Sequence, residues 1–335
     1  MILRIPEYCK NFRCIADKCK DNCCIGWEID IDRETAEYYN KVGGDLGKRL
    51  KECIKTEGDV PSFILKGERC PFLNKSNLCD IIINEGEEHL CQICTDHPRY
   101  YEWFNGLKEG GIGLCCEEAA RIVLSQTSPL SFWDRELADE DCDEYDAGLY
   151  AYLVKCREII IHLFEDKSVS LENCISALID FANNIQNRID ICDYTVPPLN
   201  TQLPPLKADI TEILRHLLSL EAMDEKWKPY IEEVISNPEL DSLKPFSSAD
   251  TEQYLRNIAV YFIWRYFMKA VFDEDVIPQI SLTAISITVI AYLFEHNRTA
   301  DGILTLEGCA ETAKAYSKEI EYSPENCEAV QFYMN

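Results

Sequence analysis

Apolar positions in the second half of the chain recur with the period of a helix. Leu149, Leu153, Cys156, Ile160 and Leu163 step by threes and fours, and Ile210, Ile213, Leu214, Leu217 and Leu218 do the same. A stripe of this kind lets a helix bury one face and leave the other in water. Tyr254–Phe272 and Ile280–Phe294 are apolar on most sides, which predicts the central helices of a bundle. Ser170 before Leu171, and Ser247 three residues before Asp250, predict helix N-caps, because a serine hydroxyl accepts from an unpaired first-turn N–H. The segment Thr195 to Lys207, TVPPLNTQLPPLK, predicts a connector, since proline removes a backbone donor and blocks the preceding turn. From Asp141 onward the pattern is that of an all-α back half. The front has one long amphipathic run, Arg33 to Ile54, broken by Gly43-Gly44.

The most apolar stretch, Val276 to Phe294, contains Pro278, Gln279 and several Ser and Thr. A membrane span needs roughly 20 nearly unbroken apolar residues, so a buried core helix is expected here and no membrane partner. The N-terminus, MILRIPEYCKNF, has no basic start followed by an apolar run, so no secretory signal is expected and the cytoplasm is the expected location. Net charge is −26, of which about −6 falls on residues 1–120 and about −20 on the remainder. Such a surface repels phosphate backbones and excludes nucleic acid as an expected partner. It serves solubility, and it also suits a basic substrate such as a lysine-bearing protein.

Cysteine changes the picture. Twelve of the 18 lie in the first 116 residues: Cys9, Cys14, Cys19, Cys23, Cys24, Cys53, Cys70, Cys79, Cys91, Cys94, Cys115 and Cys116. A disulfide framework needs an oxidising compartment, and the vicinal pairs Cys23-Cys24 and Cys115-Cys116 make poor partners for each other. Metal ligation suits the spacing better. The blocks are Cys14-x4-Cys19-x3-Cys23-Cys24, Cys70-x8-Cys79, Cys91-x2-Cys94 and Cys115-Cys116. Short spacing lowers the entropy of closing a site, and thiolates select soft metals. Zinc and iron–sulfur clusters each take four ligands, so these thiols allow one centre with structural cysteines beside it, or two centres. Cys53 and the six downstream cysteines, Cys156 on its apolar stripe among them, are expected to be buried structural thiols.

The residues around the cysteines carry a resemblance. The front reads FRCIADKCKDNCCIGWEIDID, then CPFLNKSNLCDIIINEGEEHLCQICTDHPRYYEWFNG, then GLCCEEAARIVL, and the tail reads AYSKEIEYSPENCEAV. These blocks resemble the flagellin lysine-N-methylase family, and behind it a broader cysteine-cluster family described as zinc- or iron-chelating. The likeness spans nearly the whole chain. It implies Cys14, Cys19, Cys23, Cys24, Cys70, Cys79, Cys91, Cys94 and Cys116 as the metal-site cysteines. It further implies a methyl group passing from S-adenosylmethionine to lysine ε-amines of flagellin, with an iron–sulfur cluster implicated. Two departures stand out. His97 occupies a position where tyrosine is more usual, and Cys115-Cys116-Glu117 replaces a typical Ser-Cys-Pro. Cys115 is weighed as an added ligand against a buried thiol, and His97 as a ligand against a hydrogen-bonded surface histidine.

Methylating an amine requires its neutral form, and at an ordinary pKa of ~10.4 only a few amines in ten thousand are neutral at pH 7. The site must desolvate the ammonium or offer a proton acceptor. Asp96, Tyr100, Glu102 and Glu118 are the polar residues nearest the motif cysteines, and Asp96, Tyr100 and Glu118 are the catalytic candidates. Arg99 has the planar fork to pair with a cofactor carboxylate or to make a structural salt bridge. No glycine-rich cofactor loop is present: Gly111-Ile-Gly113 runs into Leu114, Cys115 and Cys116 without the third glycine. The C-x3-C-x2-C spacing of most radical S-adenosylmethionine enzymes is absent as well.

The expected fold is mainly α, with a small irregular cysteine-rich metal-binding region, residues 1–125, packed on an α-helical domain, residues 126–335. The expected function is S-adenosylmethionine-dependent lysine N-methylation of flagellin or a similar protein, with an iron–sulfur cluster (4Fe-4S) or zinc. A non-catalytic metal-binding or metal-sensing module with a partner-binding helical domain is the alternative, and an electron-transfer protein a third.

Overall fold

The helical period of the second half is realised nearly element by element. The structure, a computed structural model, describes residues 1–335 apart from 21, 27, 57–59, 139, 299–301 and 334–335. Trp27 of the opening motif thus lies outside the described residues. The strands are β1 (Ile2–Pro6), β2 (Ile54–Lys55), β3 (Ser62–Phe63), β4 (Arg99–Phe104), β5 (Leu107–Ile112) and β6 (Phe132–Glu136). The helices of the front are α1 (Arg33–Tyr39), α2 (Gly44–Cys53), α3 (Asp80–Glu85), α4 (Gln92–Asp96) and α5 (Glu117–Leu124). Those of the back are α6 (Ala147–Glu165), α7 (Leu171–Ile189), α8 (Ile210–Ser219), α9 (Trp227–Ile235), α10 (Ala249–Tyr266), α11 (Ala270–Asp273), α12 (Ile277–His296), α13 (Leu306–Ile320) and α14 (Pro324–Gln331).

Two compact units emerge. One comprises residues 1–12, 101–115 and 119–335, the other residues 13–100 with 116–118. The expected cut after residue 125 therefore runs elsewhere: the N-terminal strand and the 101–115 hairpin belong with the helices.

In the first unit α12 is the central rod, contacting α7, α8, α10, α13 and α14. It is the one helix among the described residues long and apolar enough to cross a membrane, and 89% of that apolar stretch is buried within the protein. Three of its hydroxyl side chains are satisfied internally. Thr283 and Thr288 hydroxyls donate to the carbonyls of Gln279 and Ala284 at 2.9 and 2.8 Å, and Ser286 bonds Tyr316 at 3.0 Å. Pro278 sits in the first turn, where its missing N–H costs nothing.

Ser170 caps α7 as expected, accepting from Asn173 N at 3.3 Å. Ser170→Ala is expected to cost about 1 kcal/mol, read as a shift of the urea midpoint; an unchanged midpoint would count against the cap. The expected cap at Ser247 is not made. Ser248 takes the N-cap position without a side-chain bond, and the Ser247 hydroxyl donates to Lys244 O at 2.9 Å, closing the preceding turn instead. Gly43 and Gly44 separate α1 from α2, and the proline-rich segment is non-helical until α8.

The irregular front that the pattern suggested contains a four-stranded sheet in the order β4-β5-β1-β6. Ile2 pairs in parallel with Leu107, and β6 runs antiparallel to β1 from Ile2↔Glu136 to Pro6↔Phe132. Asn105-Gly106 turns β4 into β5, with Gly106 at φ 73°, the left-handed conformation that such turns need. Across this sheet Glu109 meets Arg157 of α6 in a two-pronged ion pair at 2.5 and 2.6 Å, and each side chain is only 6% exposed.

The second unit has a small core of Ile29, Ile31, Tyr39, Leu50, Phe63, Phe72 and Ile81, into which Cys53, Cys70 and Cys91 also pack. Arg49 ties it together, pairing with Asp80 at 2.6 Å and lying 4.9 Å from the centre of the Phe72 ring.

Candidate functional site

Backbone bonds in the second unit hold the cysteine blocks in place. Asp32 caps α1, accepting from Thr35 N at 2.9 Å, and its carboxylate also accepts from Gln92 N at 2.8 Å, fixing the start of α4. Cys91 is the N-cap of α4, and Cys94 N donates back to its carbonyl at 3.0 Å, so the C-x2-C pair spans one turn. Cys70 N donates to Cys24 O at 2.8 Å, and Cys79 bridges to Leu73.

The electrostatics show which sulfurs sense one another. Burial pushes the Cys70 thiol up to about 12, and the Cys24 and Cys79 sulfurs add to the rise. Cys94 is raised by its hydrogen bond to Cys91 and by burial, with Cys24 and Cys70 contributing. Cys91 is lowered by that same bond, helped by the Tyr39 hydroxyl at 3.7 Å. Tyr39 is raised by burial and by the sulfurs of Cys91, Cys94 and Cys79. Cys24, Cys70, Cys79, Cys91 and Cys94 thus form one neighbourhood drawn from three separated blocks. Cys23 joins it through a hydrogen bond to Cys24, which raises Cys23 ahead of burial and the fields of Cys14 and Cys116. Cys24 is lowered by that bond, against burial, with help from the Arg69 guanidinium. Cys19 lies 3.8 Å from the Glu117 carboxylate, which also accepts from Lys20 N at 2.9 Å.

These donors fit a thiophilic metal in their chemistry: they are soft, half-buried to buried, and drawn together from distant blocks. Among the described residues, no three Cys, His, Asp or Glu side chains already surround one ion-sized position. Every described cysteine is a free thiol.

The other sequence candidates are placed as follows. Asp96, half-buried at the end of α4, accepts from Gln92 Nε2 at 2.7 Å. Arg99 donates to Thr95 O at 3.0 Å. Tyr100 and Glu118 are half-buried in the second unit. Glu102 belongs to the first unit, where burial raises its carboxyl above the usual range against the pull of Lys269. Cys115 is buried in the first unit and bonded to Tyr322, the place of a structural thiol.

His97 is half-buried, and burial, with the Arg99 charge, pushes it down to about 4. The unfolded chain protonates this ring near the ordinary value of 6.5, while the folded chain resists until about 4. The stability it confers is complete above about 6.5 and is lost progressively as pH falls toward 4. Urea titrations across that window should show the decline, and His97→Asn should flatten it; an identical slope in the variant would exclude His97 as its source.

The first unit holds a constellation that sequence reasoning missed. The Glu321 side chain is 0% exposed and pairs with Arg265 at 3.1 Å. Its carboxylate accepts from Tyr261 at 2.9 Å, from Tyr266 at 3.0 Å and from Ser317. The Arg265 guanidinium lies 5.2 Å from the Tyr266 ring centre and 5.9 Å from that of Tyr322. Desolvation and the neighbouring Glu321 charge hold the Tyr266 hydroxyl well above its ordinary range. This network floors a cavity of about 360 Å³ whose rim carries Lys269 and Asp273. A signal was present: Arg265 and Lys269 interrupt the apolar run of 254–272, and Glu321 lies within the quoted tail. A larger cavity of about 460 Å³ lies beside Gln253, Arg256 and Asn257. Its polar groups are mostly committed to anchoring loops: Arg256 to the carbonyls of Phe164, Asp166 and Val169, and Asn257 to those of Leu124 and Gln126.

A family model described as the FliB lysine N-methylase C-terminal domain matches residues 157–335. Lysine-N-methylases of Salmonella choleraesuis and Salmonella typhimurium are each 23% identical over 233 residues, covering 67% of this chain and 57% of their own length. The flagellar biosynthetic protein FliU of Salmonella muenchen is 23% identical over 139 residues, covering 39% of this chain and 82% of its own. The chain therefore spans little more than half the length of the two lysine-N-methylases. No solved structure matches it.

Proposed function

The chain belongs to the FliB lysine N-methylase family, and on that premise we propose that it is a protein-lysine N-methyltransferase acting on flagellin, with S-adenosylmethionine as methyl donor and a thiolate-held iron–sulfur cluster or zinc. The observation that carries the reading is the family match over residues 157–335. The name of a flagellar biosynthetic relative and the acidic charge of residues 121–335 support a lysine-bearing flagellar substrate.

The chemistry asks three things of this chain. It must hold the metal, and Cys24, Cys70, Cys79, Cys91 and Cys94 are the residues that would do so, with Cys23 bonded to Cys24 and Cys14 and Cys116 near Cys23. A metal there supplies a soft Lewis acid, or one-electron chemistry if it is an iron–sulfur cluster. The chain must also receive the donor, whose sulfonium makes its methyl electrophilic. Third, it must take a proton from the acceptor lysine before the nitrogen lone pair is available. Of the carboxylates near the motif cysteines in sequence, Glu102 combines partial burial with a raised proton affinity, the properties of a general base, whereas the Asp96 carboxylate is taken up by Gln92 Nε2.

The test is mass spectrometry of flagellin after incubation with S-adenosylmethionine and anaerobically prepared, metal-replete protein. Lysine-bearing peptides should gain mass in steps of one methyl group. Unmodified flagellin, together with no binding of either partner, would leave the metal-binding module as the better account.

A further inference from the structure

The Arg265–Glu321 network is costly to maintain. Burying two charges carries a desolvation penalty that their attraction seldom more than offsets, so such a pair at a cavity floor points to function more than to stability. The cavity above it measures about 360 Å³, within the roughly 300–1,000 Å³ range of small-molecule sites. It lies wholly within the segment matched by the lysine N-methylase model.

Its charges have a particular arrangement. Lys269 and Asp273 are four residues apart, a spacing that often yields an ion pair on a helix, yet none joins them. Lys269 is exposed, with its ammonium 5.3 Å from the Tyr266 ring centre. Gln279 and Gln331 also line the space and bond each other at 2.9 Å. The cavity therefore presents a cation and an anion on its rim, polar groups within, and a neutralised ion pair beneath.

We propose that this cavity is the donor subsite, in which Lys269 binds the α-carboxylate of S-adenosylmethionine and Asp273 its α-ammonium. The assignment rests on the methyltransferase reading above and deepens it. A zwitterionic amino-acid head finds partners of both signs. A substrate lysine side chain brings positive charge alone and offers no carboxylate to Lys269, which disfavours it as the occupant. The Glu321 network acts in support: it fixes Tyr266 and Arg265, so that the wall under the ligand does not rearrange on binding.

The test is equilibrium dialysis with labelled S-adenosylmethionine, repeated with its decarboxylated analogue and checked by ligand-induced thermal shift. Because Lys269 is exposed, Lys269→Ala is expected to fold normally. A lost charge-assisted bond corresponds to roughly ten- to hundredfold weaker binding. Lys269→Ala should therefore weaken S-adenosylmethionine binding by about that factor. The decarboxylated analogue should bind wild type weakly and lose nothing further in the variant. Gln253→Ala, in the larger cavity, should bind as wild type does. Equal loss of both ligands in Lys269→Ala, no loss of either, or weakening by Gln253→Ala instead would overturn the assignment while leaving the methyltransferase reading intact. A metal-replete wild type that binds no S-adenosylmethionine would overturn that reading and the subsite with it.

Discussion

Protein carrying serine at Cys24, Cys70, Cys91 or Cys94 is expected to purify with sharply reduced metal and to lose solubility with it. The ground is convergence. Cys24, Cys70 and Cys91-x2-Cys94 come from three blocks separated by some tens of residues, yet their sulfurs perturb one another's ionisation. A hydroxyl in place of one thiolate removes a soft donor and leaves a weaker ligand. The second unit is expected to depend on that ligation, because its apolar core is small and cysteines fill part of it. Structural metals in small domains contribute on the order of 10 kcal/mol of apparent binding energy, so losing the centre should unfold the unit rather than soften it. Cys156→Ser is the control. That thiol is buried in α6 of the first unit and is expected to leave metal content unchanged. Metal analysis and visible absorption after anaerobic purification decide the matter. Full metal retention in all four front variants would end the ligand assignment.

Replacing Arg157 alone with methionine is expected to destabilise the first unit by roughly 3–5 kcal/mol, the range for breaking a buried pair. Arg157 donates twice to Glu109 at 2.5 and 2.6 Å, and its guanidinium lies 4.4 Å from the Trp264 ring centre. Truncation strands the Glu109 carboxylate between sheet and helix without its two-pronged partner, leaving near it the charge of Arg4, which is already paired with Asp134. Adding Glu109→Leu should recover most of the loss, because an apolar pair of similar size has nothing left to desolvate. Urea unfolding of the single and double variants gives both numbers from one cycle. A double variant as unstable as the single would show that the cost lies in packing on Trp264 and not in the unpaired charge.

Elements whose order comes from local pattern were legible before the fold was known. The stripe from Leu149 to Leu163 is buried throughout, as its period required, and α12 is a core helix in which its Ser and Thr bond back to its own turns or to Tyr316. The break at Gly43-Gly44, the Ser170 cap and the proline connector depend on a few neighbouring residues. The family was legible too: the tail AYSKEIEYSPENCEAV lies inside the matched residues 157–335, and the cysteine blocks lie outside them. Apart from the Ser247 cap, which falls one residue away, the misses are non-local. Strand β1 pairs with β5 about a hundred residues away, and β6 is a mostly exposed edge strand whose FWDRE carries no clean alternation.

Composition and period alone determined that this chain is mainly helical, acidic and thiol-rich at the front. They could not determine which thiols meet, why Glu109 and Arg157 are buried together, or that Arg265 and Glu321 floor a cavity. Each of those facts joins residues far apart in the chain, and a charged residue reads as solvent-facing until the fold supplies its partner. Tertiary structure decided them because desolvation and Coulomb energy act through space and leave no periodic trace along the sequence.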